Sequence, residues 1–163
     1  MKYLYHFIVA AACSLTATAH AAECSKDAAD YVYSSQPSLH AKLEPIKKDG
    51  QPREVGVEIK DSTHNLNYWF LVDKGSGYYA SLISTTNYTL SDWKHPDPDG
   101  PRKLRDMEIY GWDKKMKMSD DLRTDRPLPD YIFIPALAEL VTHAIPESYH
   151  LPPGFFKRTA CNI

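Results

Sequence analysis

Residues 67–86 read NYWFLVDKGSGYYASLISTT, and this stretch decides the predicted fold. Its first seven residues are largely apolar on both faces, which is typical of a central strand that is covered on each side. The KGSG segment at 74–77 contains two glycines and predicts a turn. Residues 78–86 then predict the return strand, so the whole stretch indicates a β-hairpin.

Further strands are predicted on either side of this hairpin. Residues 54–60 alternate between apolar and charged side chains, which predicts a half-buried strand. Residues 107–112 predict another strand, and residues 114–118 either continue it or turn back beside it. Residues 38–52 are ambiguous, because Pro45 and an Asp-Gly turn signal interrupt them.

Helical spacing is present near both ends of the chain. Residues 24–34 place Ala28, Tyr31 and Val32 on one face and predict an N-terminal helix. Pro135 suits the first position of a C-terminal helix, which the apolar spacing carries to Ile145. The sequence therefore predicts a single α+β domain, in which two helices pack on an antiparallel meander of about four or five strands.

The first 21 residues have the layout of a secretory signal peptide. Lys2 provides a positive start, residues 7–19 are mostly apolar, and small residues precede a cleavage position after Ala21. The alternative is a buried N-terminal helix. We expect residues 1–21 to be removed and residues 22–163 to form one periplasmic or secreted domain, with no transmembrane segment in the mature chain.

Cleavage would leave two of the three cysteines, Cys24 and Cys161. In an oxidising compartment, this pair predicts a disulfide that ties the two ends together. A catalytic or metal-binding role for such distant cysteines is the alternative. Lipid anchoring at Cys13, after a short apolar segment, is a further and less favoured interpretation.

Composition excludes several classes of protein. The 163 residues are 25% charged and 12% aromatic, unlike a disordered segment. The formal net charge of -2 gives no electrostatic reason to expect nucleic acid, so we expect no nucleic-acid partner.

The proline-rich loop that begins at His95 contains the most distinctive local motif. Counted from His95, Asp97, Asp99 and Asp106 occupy positions 3, 5 and 12, which partly matches a calcium-binding loop. The first position holds His rather than Asp, and Arg102 is one of several cations that crowd the motif. A solvated turn is therefore the favoured interpretation, and calcium binding stays open.

Catalytic and cofactor motifs are weak. Glu139 and His143 lie four residues apart on the predicted C-terminal helix, where they suit two metal ligands or a surface pair. Phosphate-loop, dinucleotide and nucleophile-elbow fingerprints are missing from the sequence. We therefore expect neither a metal nor a cofactor, and assign no catalytic residue.

Aromatic residues concentrate on the predicted sheet and its loops. A second layer, formed by the terminal helix or the C-terminal tail, would explain aromatic side chains on both faces. The alternative is a recognition surface, because tyrosine and tryptophan are favoured interface anchors. Trp93 lies in a polar loop and, with His95, Asp97 and Asp99, is the predicted partner-binding site.

The functional hypothesis follows from export, small size and the weak catalytic signature. It is a non-enzymatic protein-binding protein, specifically an inhibitor or immunity protein that blocks a toxin or hydrolase in the same compartment. The loop from His95 to Arg105, or the sheet face, would occlude the partner's active site. The alternatives are a small exported hydrolase using His143 with Glu139, an envelope accessory protein, or a secreted effector.

Overall fold

The computed structural model describes residues 28–48, 51–74, 80–97, 99–119, 122–144 and 149–159. Strands make up almost all of its regular structure. In chain order the elements are β1 Ala29–Tyr33, β2 Gln36–Lys48, β3 Gln51–Asp61, β4 Leu66–Asp73, β5 Ala80–Thr85, β6 Met107–Trp112, β7 Met118–Ser119, β8 Tyr131–Phe133, α1 Leu137–Ala144 and β9 Phe156–Arg158.

Eight of these strands close into a β-barrel. The antiparallel ring runs β1-β2-β3-β4-β5-β6-β8-β9 and returns to β1, while β7 pairs beside β6 outside the ring. The predicted α+β fold with an open sheet of four or five strands is therefore wrong. Closure pairs β1 with β9, and the pair Tyr33–Phe156 joins residues from opposite ends of the chain.

Alternate residues of each strand point into the barrel and fill it. An eight-stranded barrel has an interior just wide enough for side chains. Tyr31, Phe70 and Phe156 are the largest fully buried aromatic residues, and smaller aliphatic side chains pack around them. The Tyr31 hydroxyl donates a 2.8 Å hydrogen bond to the Pro129 carbonyl, and burial raises the pKa of this phenol. The barrel interior is thus a packed core.

The connections at the two ends of the barrel complete this core. The helix α1 follows β8 and buries Leu137 and Val141, which confirms the predicted C-terminal helix among the described residues. At the opposite end, the connection between β7 and β8 contributes Leu122 and Leu128. Both ends are therefore covered by apolar side chains.

The predicted N-terminal helix is wrong in its described part, because Ala29–Tyr33 is strand β1. In this strand Ala29, Tyr31 and Tyr33 are buried, whereas Asp30 is exposed. A helical period and a strand period of two both fit so short a segment. Pairing with β2 on one side and with β9 on the other selects the strand. The buried residues Ala29, Tyr31 and Tyr33 alternate, and they share only Tyr31 with the predicted helical face of Ala28, Tyr31 and Val32.

Strand β2 runs through Pro45, where the sequence was ambiguous. Its pairing with β1 ends at Leu43, while its pairing with β3 continues through Pro45–Val55. A proline, which lacks a backbone N–H, is tolerated where one side of a strand has no partner. Among the described residues, Pro45 is paired on the β3 side of this strand of 13 residues and not on the β1 side.

The described ends of the chain are joined by backbone hydrogen bonds. The Thr159 N–H donates to the Asp30 carbonyl at 2.9 Å, beyond the last β1–β9 pair. No disulfide is found in the described part of the chain, and both Cys24 and Cys161, like the predicted signal peptide, lie outside it. Strand pairing therefore joins the ends of the described chain, with no disulfide among the described residues.

Among the described residues, no helix has the length and apolar character needed to cross a membrane.

Candidate functional site

Four aromatic side chains form a ladder on the outer face of β6 and β8. Tyr110 lies opposite Phe133, and Trp112 lies opposite Tyr131 in the register of the two strands. The residues between them, such as Ile132, are buried in the barrel, so the aromatic rings point outward. Along β6, the rings of Tyr110 and Trp112 stack with their centroids 6.2 Å apart.

Phe155 adds a fifth ring from the segment that leads into β9. Its ring meets Tyr131 edge to face at 5.6 Å. Its backbone N–H donates to the Ser34 hydroxyl at 3.1 Å, and its carbonyl accepts the Ser34 N–H at 2.8 Å. The Ser35 hydroxyl also donates to the Pro153 carbonyl at 2.6 Å. These bonds fix Phe155 to the turn between β1 and β2.

Gly154 allows the segment that carries Phe155 to approach the turn of Ser34 and Ser35 closely. A Cβ added to Gly154 would stand 2.8 Å from the hydroxyl oxygens of both Ser34 and Ser35. Any larger residue would therefore push the segment away from the turn and move Phe155. The glycine is needed for close packing at this position.

A tight turn after β6 brings Met116 to the other side of the ladder. The Asp113 carboxylate accepts the N–H groups of Lys115 and Lys117 at 2.8 and 2.9 Å. Met116 has a φ of 61°, a left-handed conformation that non-glycine residues adopt at some cost. The turn holds the Met116 side chain in solvent, with 67% of its surface exposed.

Together these elements enclose an open apolar groove of about 640 Å³. We call it the aromatic groove; it is lined by Ser34, Trp112, Met116, Tyr131, Phe133, Pro153, Gly154 and Phe155. Phe155 and Phe133 remain 42% and 39% exposed, which is unusual for residues of this size. Neighbouring exposed apolar side chains at the rim of a groove are a common feature of interaction sites.

Trp93, the predicted anchor, lies elsewhere and is half buried. The connection after β5 folds over the outer face of β3 and β4, where Trp93 packs beside Ile46, Leu71 and Tyr88. Its indole N–H donates to the Thr85 hydroxyl at 3.0 Å. This connection supplies the covering layer that the sequence assigned to the helix or the tail.

His95, Asp97 and Asp99 are exposed on the same connection. The Asp97 carboxylate accepts the Asp99 N–H at 3.0 Å, and the Asp97 carbonyl accepts the Gly100 N–H at 3.1 Å. His95 contacts Glu54 at 3.2 Å through Nε2 and the Pro96 carbonyl at 2.9 Å through Nδ1. The motif is a turn, and its partner-binding role stays a prediction.

The structure brings the candidate catalytic pair together, because Glu139 and His143 line the same open pocket beside α1. Glu139 forms an ion pair with Arg105, which lines that pocket too, while His143 is exposed at the end of α1.

A buried carboxylate that the sequence did not single out lies at the end of β3. Asp61 is fully buried and accepts hydrogen bonds from His64 Nδ1 at 2.8 Å and from the Thr63 N–H at 2.9 Å. Desolvation raises the pKa of Asp61, but hydrogen bonds from His64, Thr63 and Ser38 outweigh it, so the pKa is lowered. The His64 ring also packs on Tyr149 with centroids 4.5 Å apart. The group fixes the turn between β3 and β4.

Within the described ranges, no group of three or more His, Cys, Asp or Glu residues is placed to hold a metal ion. Comparison with known proteins gives no further guide: no family model, no curated protein and no solved structure matches the chain.

Sequence reasoning found part of the aromatic groove. Trp112 lies on the predicted strand of residues 107–112, whereas Tyr131, Phe133 and Phe155 lie outside the strands that the sequence predicts. The available signal was the segment YIFI at 131–134, which is apolar on both faces as residues 67–73 are. Met116 lies in a lysine-rich segment, and no pattern in the sequence indicates that it lines a groove.

Proposed function

We propose that this protein is a non-enzymatic binding protein that recognises another protein through the aromatic groove. The observation that carries the proposal is an open apolar groove of about 640 Å³ on the outside of a barrel whose interior is packed. Aromatic residues and methionine are enriched at the centres of protein interfaces. Lysines at one edge of the groove supply the polar rim that such interfaces have.

The groove is also preorganised. Three of its rings, Trp112, Tyr131 and Phe133, stand on paired strands, and hydrogen bonds to the backbone and hydroxyl of Ser34 hold the fourth, Phe155. A partner would therefore bind without first ordering this surface, which reduces the entropic cost of association. This rigidity supports the groove as a binding site over the loop at His95.

The specific role that we propose is inhibition or immunity. The sequence of residues 1–21 supports export, and the closed barrel provides a small rigid body that could cover a partner's active site. The partner would be a toxin or hydrolase of the same compartment. Its active site would be blocked when the sheet face carrying the aromatic groove docks over it.

The alternative of a small exported hydrolase has less support. In the pair proposed for it, Glu139 is engaged by Arg105, and all three of Arg105, Glu139 and His143 line one open pocket. The Glu139 carboxylate would have to leave the Arg105 guanidinium before it could assist His143 as a general base.

A photo-crosslinking experiment tests the proposal. A photoreactive amino acid is placed at position 133 in the groove or, as a matched control, at position 90. Leu90 is 55% exposed and lies in the connection after β5. In cells of the source organism, we expect one crosslinked protein from position 133 and none from position 90. The protein identified in this way, once purified, should lose its activity when this protein is added.

The same adduct from both positions, or none from position 133, would contradict binding through the groove. A specific adduct whose partner keeps full activity would leave the binding function standing and overturn the inhibitory role.

A further inference from the structure

Four lysines border the aromatic groove. Lys114, Lys115 and Lys117 flank Met116 in the turn after β6, and Lys157 on β9 lies opposite Tyr131 in the register. All four are exposed, and none forms an ion pair with another described residue. The formal net charge of the chain is -2, so this basic edge is a local feature.

Two carboxylates lie beside these lysines and stay charged while they accept backbone N–H groups, but the four lysines outnumber them. Asp113 accepts the backbone N–H groups of its own turn, and Asp130 accepts the Lys114 N–H at 3.1 Å. At the far end of the ladder, Glu108 accepts the Tyr110 hydroxyl at 2.7 Å and is exposed. Positive charge therefore prevails beside the groove at Met116, whereas Glu108 places a negative charge at the far end of the ladder, outside the groove lining.

We infer that the aromatic groove binds an acidic segment of a protein, with one large apolar side chain seated among the rings and carboxylates beside the lysine turn. The inference rests on the proposed function and adds the chemistry of the partner. Complementary charge at the rim steers association and fixes the orientation of the bound segment. The carboxylates therefore face Lys114, Lys115 and Lys117, away from Glu108.

The shape of the surface favours a protein segment over an anionic lipid surface. The rings of Trp112 and Tyr131 line a recess, which receives a side chain that protrudes from a partner. A surface that binds a bilayer presents an extended apolar face with basic residues around it. Here Met116 is a single exposed apolar side chain between lysines, and the aromatic rings lie in the recess beside it.

Selection from a random peptide display library on the immobilised full-length protein tests this inference. We expect the enriched peptides to carry acidic residues beside one aromatic or large aliphatic residue. A synthetic peptide of this type should bind about tenfold more weakly when salt rises from about 0.1 M to about 1 M, because the screening length falls from about 10 Å to about 3 Å.

The variant K114Q/K115Q/K117Q should bind that peptide about tenfold more weakly and lose most of its salt dependence. The matched control K60Q/K94Q/K103Q removes three exposed lysines outside the groove lining and should bind like the wild type. Thermal unfolding followed by circular dichroism verifies that both variants remain folded.

The outcomes separate the inference from the proposed function. Peptides that require Phe133 but lack acidic residues would overturn the inference alone. Peptides that still bind the Phe133→Ser variant would count against both the inference and the proposed function. A selection that enriches no peptide would do the same. A third outcome is binding to lipid instead of peptide. If no peptide binds, and the lysines are needed for binding to vesicles of phosphatidylcholine with phosphatidylglycerol but not of phosphatidylcholine alone, the basic edge binds lipid and the inference is overturned.

Discussion

The ring of Tyr88 lies directly on the backbone of Gly56, and a Cβ added to Gly56 would stand 2.5 Å from Cζ of Tyr88. Gly56 is on the outer face of β3, and Tyr88 comes from the connection after β5. Trp69 meets the same ring edge to face at 4.9 Å. This contact anchors the connection to the barrel. It also covers an apolar face of the sheet that would otherwise be exposed to solvent.

Substituting Gly56→Ala should therefore destabilise the protein. The added methyl group must displace a buried aromatic ring, and overpacking of this kind costs about 1–3 kcal/mol. The free energy of unfolding, measured with urea, should fall by that amount. In a Tyr88→Ala background the ring is gone, so the same substitution should cost little. An equal cost in both backgrounds would mean that the ring is not what Gly56 accommodates.

Asp61 should make stability depend on pH in the acid range. Burial raises its pKa, but the hydrogen bonds from His64, Thr63 and Ser38 bring it below the ordinary value of 3.8. The folded state therefore keeps this carboxylate charged at a pH where the unfolded state has begun to take up a proton. The resulting stabilisation is complete well above pH 3.8 and is lost as pH falls through the lowered folded pKa.

Asp61→Asn should remove this acid-range dependence and cost about 1–3 kcal/mol at neutral pH, because a buried charged acceptor is lost. Urea unfolding at several pH values between neutral and strongly acidic measures both effects. Asp99→Asn, which changes an exposed aspartate, serves as the control. A wild-type stability that is flat below pH 3.8, or that rises there, would refute the assignment.

Trp93 should contribute to stability. Its ring packs on Tyr88 and Leu71, and its indole N–H is bonded to Thr85. Trp93→Ala should cost about 1–3 kcal/mol through lost packing, less than for a fully buried tryptophan. Trp93→Phe should cost about 0.5–1.5 kcal/mol, chiefly the hydrogen bond. Unchanged unfolding curves for both variants would mean that the ring is not packed in solution.

This result bears on how the predicted partner-binding loop can be tested. A loss of binding in Trp93→Ala would not separate contact with a partner from local unfolding. His95, Asp97 and Asp99 are exposed, so their replacement by alanine tests the loop more directly. Binding that survives this replacement but is lost on a change in the aromatic groove would assign recognition to the groove.

The hairpin of β4 and β5 could be predicted from the sequence because its signals are local. Alternation over residues 54–60 and 107–112 likewise identified β3 and β6, and spacing after Pro135 identified α1. In each case the pattern is long enough to distinguish a period of two from a helical period.

The strands that close the barrel could not be predicted in the same way. β1 has 5 residues and β9 has 3, too few to fix a period. Their pairing joins Tyr33 to Phe156 across most of the chain, and no local feature of either segment specifies this partner. The site depends on the same closure, because Phe155 reaches Tyr131 only when β9 lies between β8 and β1.

Phe133→Ser should separate binding from stability. The side chain is 39% exposed, so its loss should cost no more than about 1 kcal/mol of cross-strand contact with Tyr110. Its ring forms part of the groove wall, so the affinity for the partner crosslinked from position 133 should fall at least tenfold, or about 1.4 kcal/mol. Leu90→Ser removes an apolar side chain that is 55% exposed and should leave that affinity unchanged. Titration calorimetry with the purified partner compares the two variants, and equal affinities would show that binding does not use the groove.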